Sequence, residues 1–205
     1  MKRLLTIALL MAIPLTAFTA RAQTPALLEG AQYIESVTVS NGIATPVIKT
    51  WGVQNSLFGP TVAGQEFFLA TARTAAQITT AGTTISGTFH GTSSSDPVDG
   101  RGTVILGLAD VGAPPEASFN SWALSVSITK HPGFEAIYIQ ELGVLKKALT
   151  GPFNYDVPVA VTLQNTRTQV LFNGAVIYET TPLSLPVRGH FQATWQASIT
   201  NLAIQ

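Results

Sequence analysis

The sequence predicts an all-β protein built as a two-sheet antiparallel sandwich, and three observations predict it. Strand-like runs recur about every 8–15 residues, the rhythm of a sandwich. No long amphipathic helix, heptad or internal repeat breaks that rhythm. The run Val170 to Glu179, VLFNGAVIYE, sets Asn173-Gly174 between two apolar segments. Both central positions of a type I′ hairpin turn need positive φ, and Asn-Gly is the pair that accepts it.

The chain opens MKRLLTIALLMAIPLTAFTARA, with basic Lys2 and Arg3, an apolar stretch from Leu4 to Leu15, and small residues at Ala20 and Ala22. That order is a secretory signal peptide over residues 1–22, too short in its apolar part to serve as a membrane span. Residues 23–32 read as a linker or first edge segment, and residues 33–205 as the sandwich domain. YIESVTVSNG alternates Ile34, Ser36 and Thr38 against Glu35, Val37 and Val39, then stops at Asn41-Gly42. TPVIKTWGV and QEFFLATART are further β runs, and TTAGTTISGTFHG carries too much Thr and Gly for helix and reads as a strand ending near His90. GTSSSDPVDGRG is a polar surface loop, and RGTVILGLADV is a strand that the Pro114-Pro115 stretch breaks off. SWALSVSITKH then sets Trp122, Leu124, Val126 and Ile128 on one face, the core side, against Ala123, Ser125, Ser127 and Thr129. Phe134 to Glu141 is a strand, Gly143 a turn, and a short strand or turn runs through Lys147. DVPVAVTLQNT, TQVLFNGAVIYET and HFQATWQASITNLAIQ complete the β pattern.

Composition bounds the function. Removing Lys2, Arg3 and Arg21 from the eleven Lys and Arg leaves eight against eleven Asp and Glu, a formal net charge of −3. That balance offers nothing to recruit nucleic acid. The chain has no cysteine, which excludes thiol catalysis, thiolate metal sites and a disulfide scaffold. The remaining 183 residues fit one self-sufficient domain. Charged residues are 11% of the chain, about half the usual quarter, so surface polarity must come from Thr, Ser, Asn and Gln.

The order of the last strands carries a resemblance. Val159, Val161, Asn165, Val170, Asn173, Gly174 and Val176, closed by Ile199, Leu202 and Ile204, have the texture of concanavalin A-like lectin/glucanase and laminin-G-like jelly rolls. The resemblance spans Ser118 to Gln205. It implies two antiparallel sheets packed face to face, paired terminal strands, and a concave face for an extended ligand. Many members of that superfamily bind carbohydrate, some hydrolyse it, and others adhere or assemble; the fold does not choose among these.

The residues themselves exclude several chemistries. The glucanase pattern Glu-x-Asp-x-(x)-Glu is absent. Glu135 and Glu141 share strand parity, but six extended residues separate them by roughly 20 Å, beyond the roughly 5–9.5 Å of a glycosidase pair. Ser127-Ile-Thr-Lys130 matches Ser-x-x-Lys, yet that chemistry needs a helical turn, and on a strand positions i and i+3 face oppositely. Asp96 and Asp99 are the one candidate pair for Ca²⁺; no other cofactor is expected. His90, His131 and His190 lack metal-ligand spacing, so no metal ligands are assigned.

A sugar site needs exposed aromatics with polar neighbours. Trp122 is in phase with the core residues after it. Trp51 and Trp195 have small or polar neighbours, and Tyr138 and Gln140 share the face opposite Ile137 and Ile139. The sequence therefore points to an exported, periplasmic or extracellular, carbohydrate- or glycan-binding sandwich without catalytic residues and with no membrane span after signal cleavage. Its candidate ligand residues are Trp51, Tyr138, Gln140 and Trp195, with Asp99 and Arg101 on an adjacent loop. Two alternatives stay open: a glycoside hydrolase whose carboxylates converge from separate strands, and a structural or adhesive envelope protein.

Overall fold

The computed structural model describes residues 28–40, 43–50, 57–58, 69–90, 102–115, 117–131, 134–153, 156–194 and 197–205. These residues form β1 (Leu28–Ser40), β2 (Ile43–Thr50), β3 (Leu57–Phe58), β4 (Leu69–Thr74), β5 (Thr84–His90), β6 (Gly102–Asp110) and β7 (Leu124–His131). The chain continues through β8 (Phe134–Glu141), β9 (Val144–Thr150), β10 (Val157–Leu163), β11 (Thr168–Phe172), β12 (Ala175–Thr180), β13 (Val187–Thr194) and β14 (Ser198–Ile204). One turn of 3-10 helix, Phe119–Ser121, lies before β7.

The strands make two antiparallel sheets. An eight-stranded sheet runs β2-β1-β4-β13-β6-β7-β8-β9, and a six-stranded sheet runs β12-β11-β10-β5-β14-β3. Alternation explains how they pack. In β5 and β10 every second side chain is buried, giving Ile85 and Phe89, and Val157, Val159, Val161 and Leu163. They meet Leu106 and Leu108 of β6, Leu124 and Val126 of β7, Ile137 and Ile139 of β8, and Phe191 of β13 in one core. Each such side chain taken from water contributes about 1.5–3 kcal/mol. Gly189 lets the sheets close: a Cβ there would lie 2.8 Å from Thr74 Cγ2 and 3.1 Å from Ile85 Cδ1.

Two hairpins owe their turns to local chemistry. Asn173 and Gly174 have φ of 49° and 77°, the positive pair that the Asn-Gly sequence predicts between β11 and β12. β8 covers Phe134–Glu141 as expected, and Leu142-Gly143 turns it into β9.

Three expectations change. The terminal strands implied by the family resemblance to be paired lie in different sheets: β1 sits between β2 and β4, whereas β14 sits between β5 and β3. Leu28 belongs to the core and opens β1, so the stretch read as linker or edge segment is strand from that point on. Trp122 is fully buried but on the other side of the eight-stranded sheet, with Ile105 and Ala109. It precedes the first residue of β7, and strand alternation does not extend past the hydrogen-bonded ladder.

Candidate functional site

A cleft with both carboxylates and hydroxyls lies where four strands of the large sheet have their ends. β6 finishes at Asp110, β8 finishes at Glu141, β7 begins just after Ala123, and β13 begins at Val187, which pairs with Asp110. The chain leaving β12 of the small sheet must cross to β13 of the large one, and residues 181–186 make that crossing over the cleft. Thr181-Pro182-Leu183-Ser184-Leu185-Pro186 cannot stay in a sheet, because each proline lacks the N–H that a ladder requires. The Leu183 amide donates to Thr168 Oγ1 at 3.3 Å, which ties the crossing to β11.

The result is a cleft of about 370 Å³. Asp110 and Glu141 supply carboxylates, Thr180, Thr181 and Ser184 supply hydroxyls, and Leu142, Pro182, Leu183 and Pro186 supply apolar walls. The Tyr178 hydroxyl donates to Glu141 Oε1 at 3.0 Å, joining the two sheets, and Lys146 Nζ stands 3.6 Å from Glu141 Oε2. Burial, then the Glu141 carboxylate, holds the Tyr178 phenol above its ordinary pKa, so it stays a donor at neutral pH. Asp110 Oδ1 accepts the Gly112 amide at 2.8 Å in an Asx turn. An ionised carboxylate accepts at about four lone-pair positions, so both acids keep capacity for hydroxyl or amine donors.

The described residues over 111–115 and 117–123 lead from β6 to β7; Ala123 lines the cleft, and Ala113, Phe119 and Trp122 pack on the outer face of the large sheet with Ile105 and Ala109. Arg73 Nη1 donates to Ala113 O at 2.7 Å, Gln192 Nε2 to Ala117 O at 3.0 Å, and the Leu142 amide to Trp122 O at 3.0 Å. Trp122 packs against Gly107, where a Cβ would come within 2.2 Å of its ring. Its ring centroid is 5.2 Å from that of His190. His190 is fully buried, and neither ring nitrogen has a hydrogen-bond partner among the described residues. Burial, followed by the positive charges of Arg73 and Arg188, lowers its pKa to about 4. Both guanidinium groups meet Glu29 Oε1, at 2.8 Å and 2.7 Å.

Of the residues that the sequence singled out, Tyr138 and Gln140 lie half-buried on the outer face of β8, opposite the buried Ile137 and Ile139, with the predicted parity. They pair across with Ser127 and Ser125 and do not line the cleft. Trp51, Asp99, Arg101 and Trp195, and the Asp96 of the calcium candidate, lie outside the described residues. Among the described residues no group of three His, Asp or Glu is placed to hold a metal ion. His90 of β5 lies between Asp156, just before β10, and Thr200 of β14: its Nδ1 is 2.7 Å from Asp156 Oδ1 and its Nε2 is 2.6 Å from Thr200 Oγ1. Sequence reasoning passed over Asp110, Tyr178 and the crossing. Their signals were an acid closing the apolar run of β6 and two prolines closely following a strand.

No family model and no curated protein matches the sequence. Among solved structures, the chain is similar to the carbohydrate recognition domain of Emp47p, at 10% identity over 91% of this chain and 90% of that one, with a TM-score of 0.52. It is similar to the carbohydrate recognition domain of Emp46p in its potassium-bound form, at 11% identity over 87% of each chain, TM-score 0.52. The marine PL7 alginate lyase AlyA1 from Zobellia galactanivorans matches at 14% identity over 85% of this chain and 94% of that one, TM-score 0.49. With the two sheets described above, the likeness to the Emp46p and Emp47p domains gives the fold: a two-sheet antiparallel jelly-roll sandwich.

Proposed function

We propose that this protein is an exported carbohydrate-binding module that acts without catalysis, and that it holds its saccharide in the cleft between Asp110, Glu141 and the crossing at residues 181–186. One observation carries the reading: carboxylates and hydroxyls stand beside apolar walls in a single cleft. A sugar needs that mixture, because its hydroxyls want acceptors while its C–H faces want apolar contact. The carbohydrate recognition domains that share the fold support the ligand class.

A glycan-array screen of the purified protein, with and without calcium and paired with an assay for released reducing sugar, tests it. The expected result is saturable binding without release. Asp110→Asn and Glu141→Gln each weaken binding by about tenfold or more, the size of a hydrogen bond to a charged group. Release of sugar would make the protein a hydrolase, and unchanged binding in both variants would remove the cleft from the proposal.

A structural or adhesive role has one observation in its favour. Thr84, Ser86 and Thr88 of β5 and Thr162 of β10 stand on the solvent side of the small sheet, with Thr84 and Thr162 hydrogen-bonded at 3.0 Å. A complete lack of glycan binding would leave that reading.

A further inference from the structure

Two hairpins in this chain have the same turn backbone and different residues at its first central position. Asn173-Gly174 has φ of 49° and 77°, and Leu142-Gly143 has φ of 48° and 77°. Asparagine tolerates the left-handed region through its short polar side chain, whereas a bulky residue there is an outlier. Leu142 is also 69% exposed, the highest value among the exposed large hydrophobic residues described. Leucine is therefore a poor choice for this position on two counts, backbone strain and water contact.

The surroundings require the turn but not the leucine. The Leu142 amide is held by Trp122 O at 3.0 Å, and a Cβ on Gly143 would lie 2.9 Å from Asn120 O, so residues 120–122 clamp the backbone of the turn. The contacts of that clamp fall on the Leu142 amide and on Gly143. The Leu142 residue also lines the cleft, together with Pro182, Leu183 and Pro186 of the crossing. That lining is aliphatic, without an aromatic ring of the kind on which a bare sugar stacks, and it adjoins two carboxylates. Strain at a clamped position is a sign that the residue is kept for a contact.

We infer that the cleft takes a saccharide carrying an aliphatic chain, an alkyl or acyl glycoside, with Leu142 reading the chain while Asp110 and Glu141 receive the sugar hydroxyls. The inference rests on the carbohydrate reading above and narrows its ligand class. Calorimetric titration with n-octyl β-D-glucoside below its micelle concentration, methyl β-D-glucoside and octyl tetraethylene glycol tests it. The octyl glucoside binds at least tenfold more tightly than the methyl glucoside. In Leu142→Asn, which adopts the residue of the sister turn and keeps the fold, that ratio drops below threefold, and Leu142→Gln repeats the loss. A ratio below threefold in the wild type, or a ratio unchanged in the variants, overturns the inference while the glycan array still judges the broader reading. Equal, Leu142-dependent binding of octyl glucoside and octyl tetraethylene glycol removes the sugar and keeps the apolar contact. Failure of octyl glucoside to bind overturns the inference. Loss of self-association in Leu142→Asn, seen by light scattering, would assign the leucine to a second copy of the chain and overturn it too.

Discussion

Leu142 and Asn173 share a backbone geometry, so they test the cost of a side chain at positive φ within one molecule. Leu142→Asn raises stability by about 1 kcal/mol, and Asn173→Leu lowers it by about the same amount. Denaturant midpoints read both. A loss of stability in Leu142→Asn would mean that the leucine packs against something the turn depends on. His190 makes a second prediction at this scale. Its pKa of about 4 in the folded protein lies below the ordinary 6.5, so the unfolded chain binds more protons between those values. Its contribution is complete above about pH 6.5 and is lost as the pH falls toward 4, a change of about 3 kcal/mol. His190→Phe keeps a ring against Trp122 and has no proton to gain, so its denaturation midpoint changes less across that window. Equal slopes in the two proteins would contradict the burial of a neutral histidine.

Among the described residues over 111–115 and 117–123, Trp122 packs against Gly107 and Ile105, and bonds from Arg73, Gln192 and the Leu142 amide tie the backbone to the large sheet. Gly107→Ala places a methyl 2.2 Å from the Trp122 ring and 2.6 Å from Leu124 O. Overpacking of that kind costs about 1–3 kcal/mol. Because Leu124 O is backbone of β7, the ring must give way, and Trp122 fluorescence shifts to the red. The hairpin of β8 and β9 was legible in the sequence because β-branched Ile137 and Ile139 flank Tyr138 and Gly143 ends the run. The face of Trp122 was not legible, since the phase of SWALSVSITKH continues through a residue that lies outside the ladder.

In the whole molecule the two sheets share one core, so neither can unfold while the other keeps its buried face. Phe89→Ala in the small sheet and Leu106→Ala in the large one each cost about 2–5 kcal/mol. Both variants unfold in a single transition, seen alike by far-ultraviolet circular dichroism and by tryptophan fluorescence. Separate transitions would mean that the sheets are stabilised independently. The cleft is a property at this scale, because Thr180 and the crossing at residues 181–186 follow from a strand of one sheet while Asp110 and Glu141 come from strand ends of the other.

The sequence by itself determined the class of fold, the place of most strands and the geometry of the Asn173-Gly174 turn, because alternation and positive φ are local properties carried by neighbouring residues. It also determined the parity of Tyr138 and Gln140 against Ile137 and Ile139. Only the tertiary structure decided that β1 and β14 lie in different sheets, that Trp122 covers the outer face, and that Asp110, Glu141 and Leu142 share a cleft with the crossing at 181–186. Strand order and the meeting of strand ends depend on which edges pair across long stretches of chain, and no short-range pattern in the sequence records that choice.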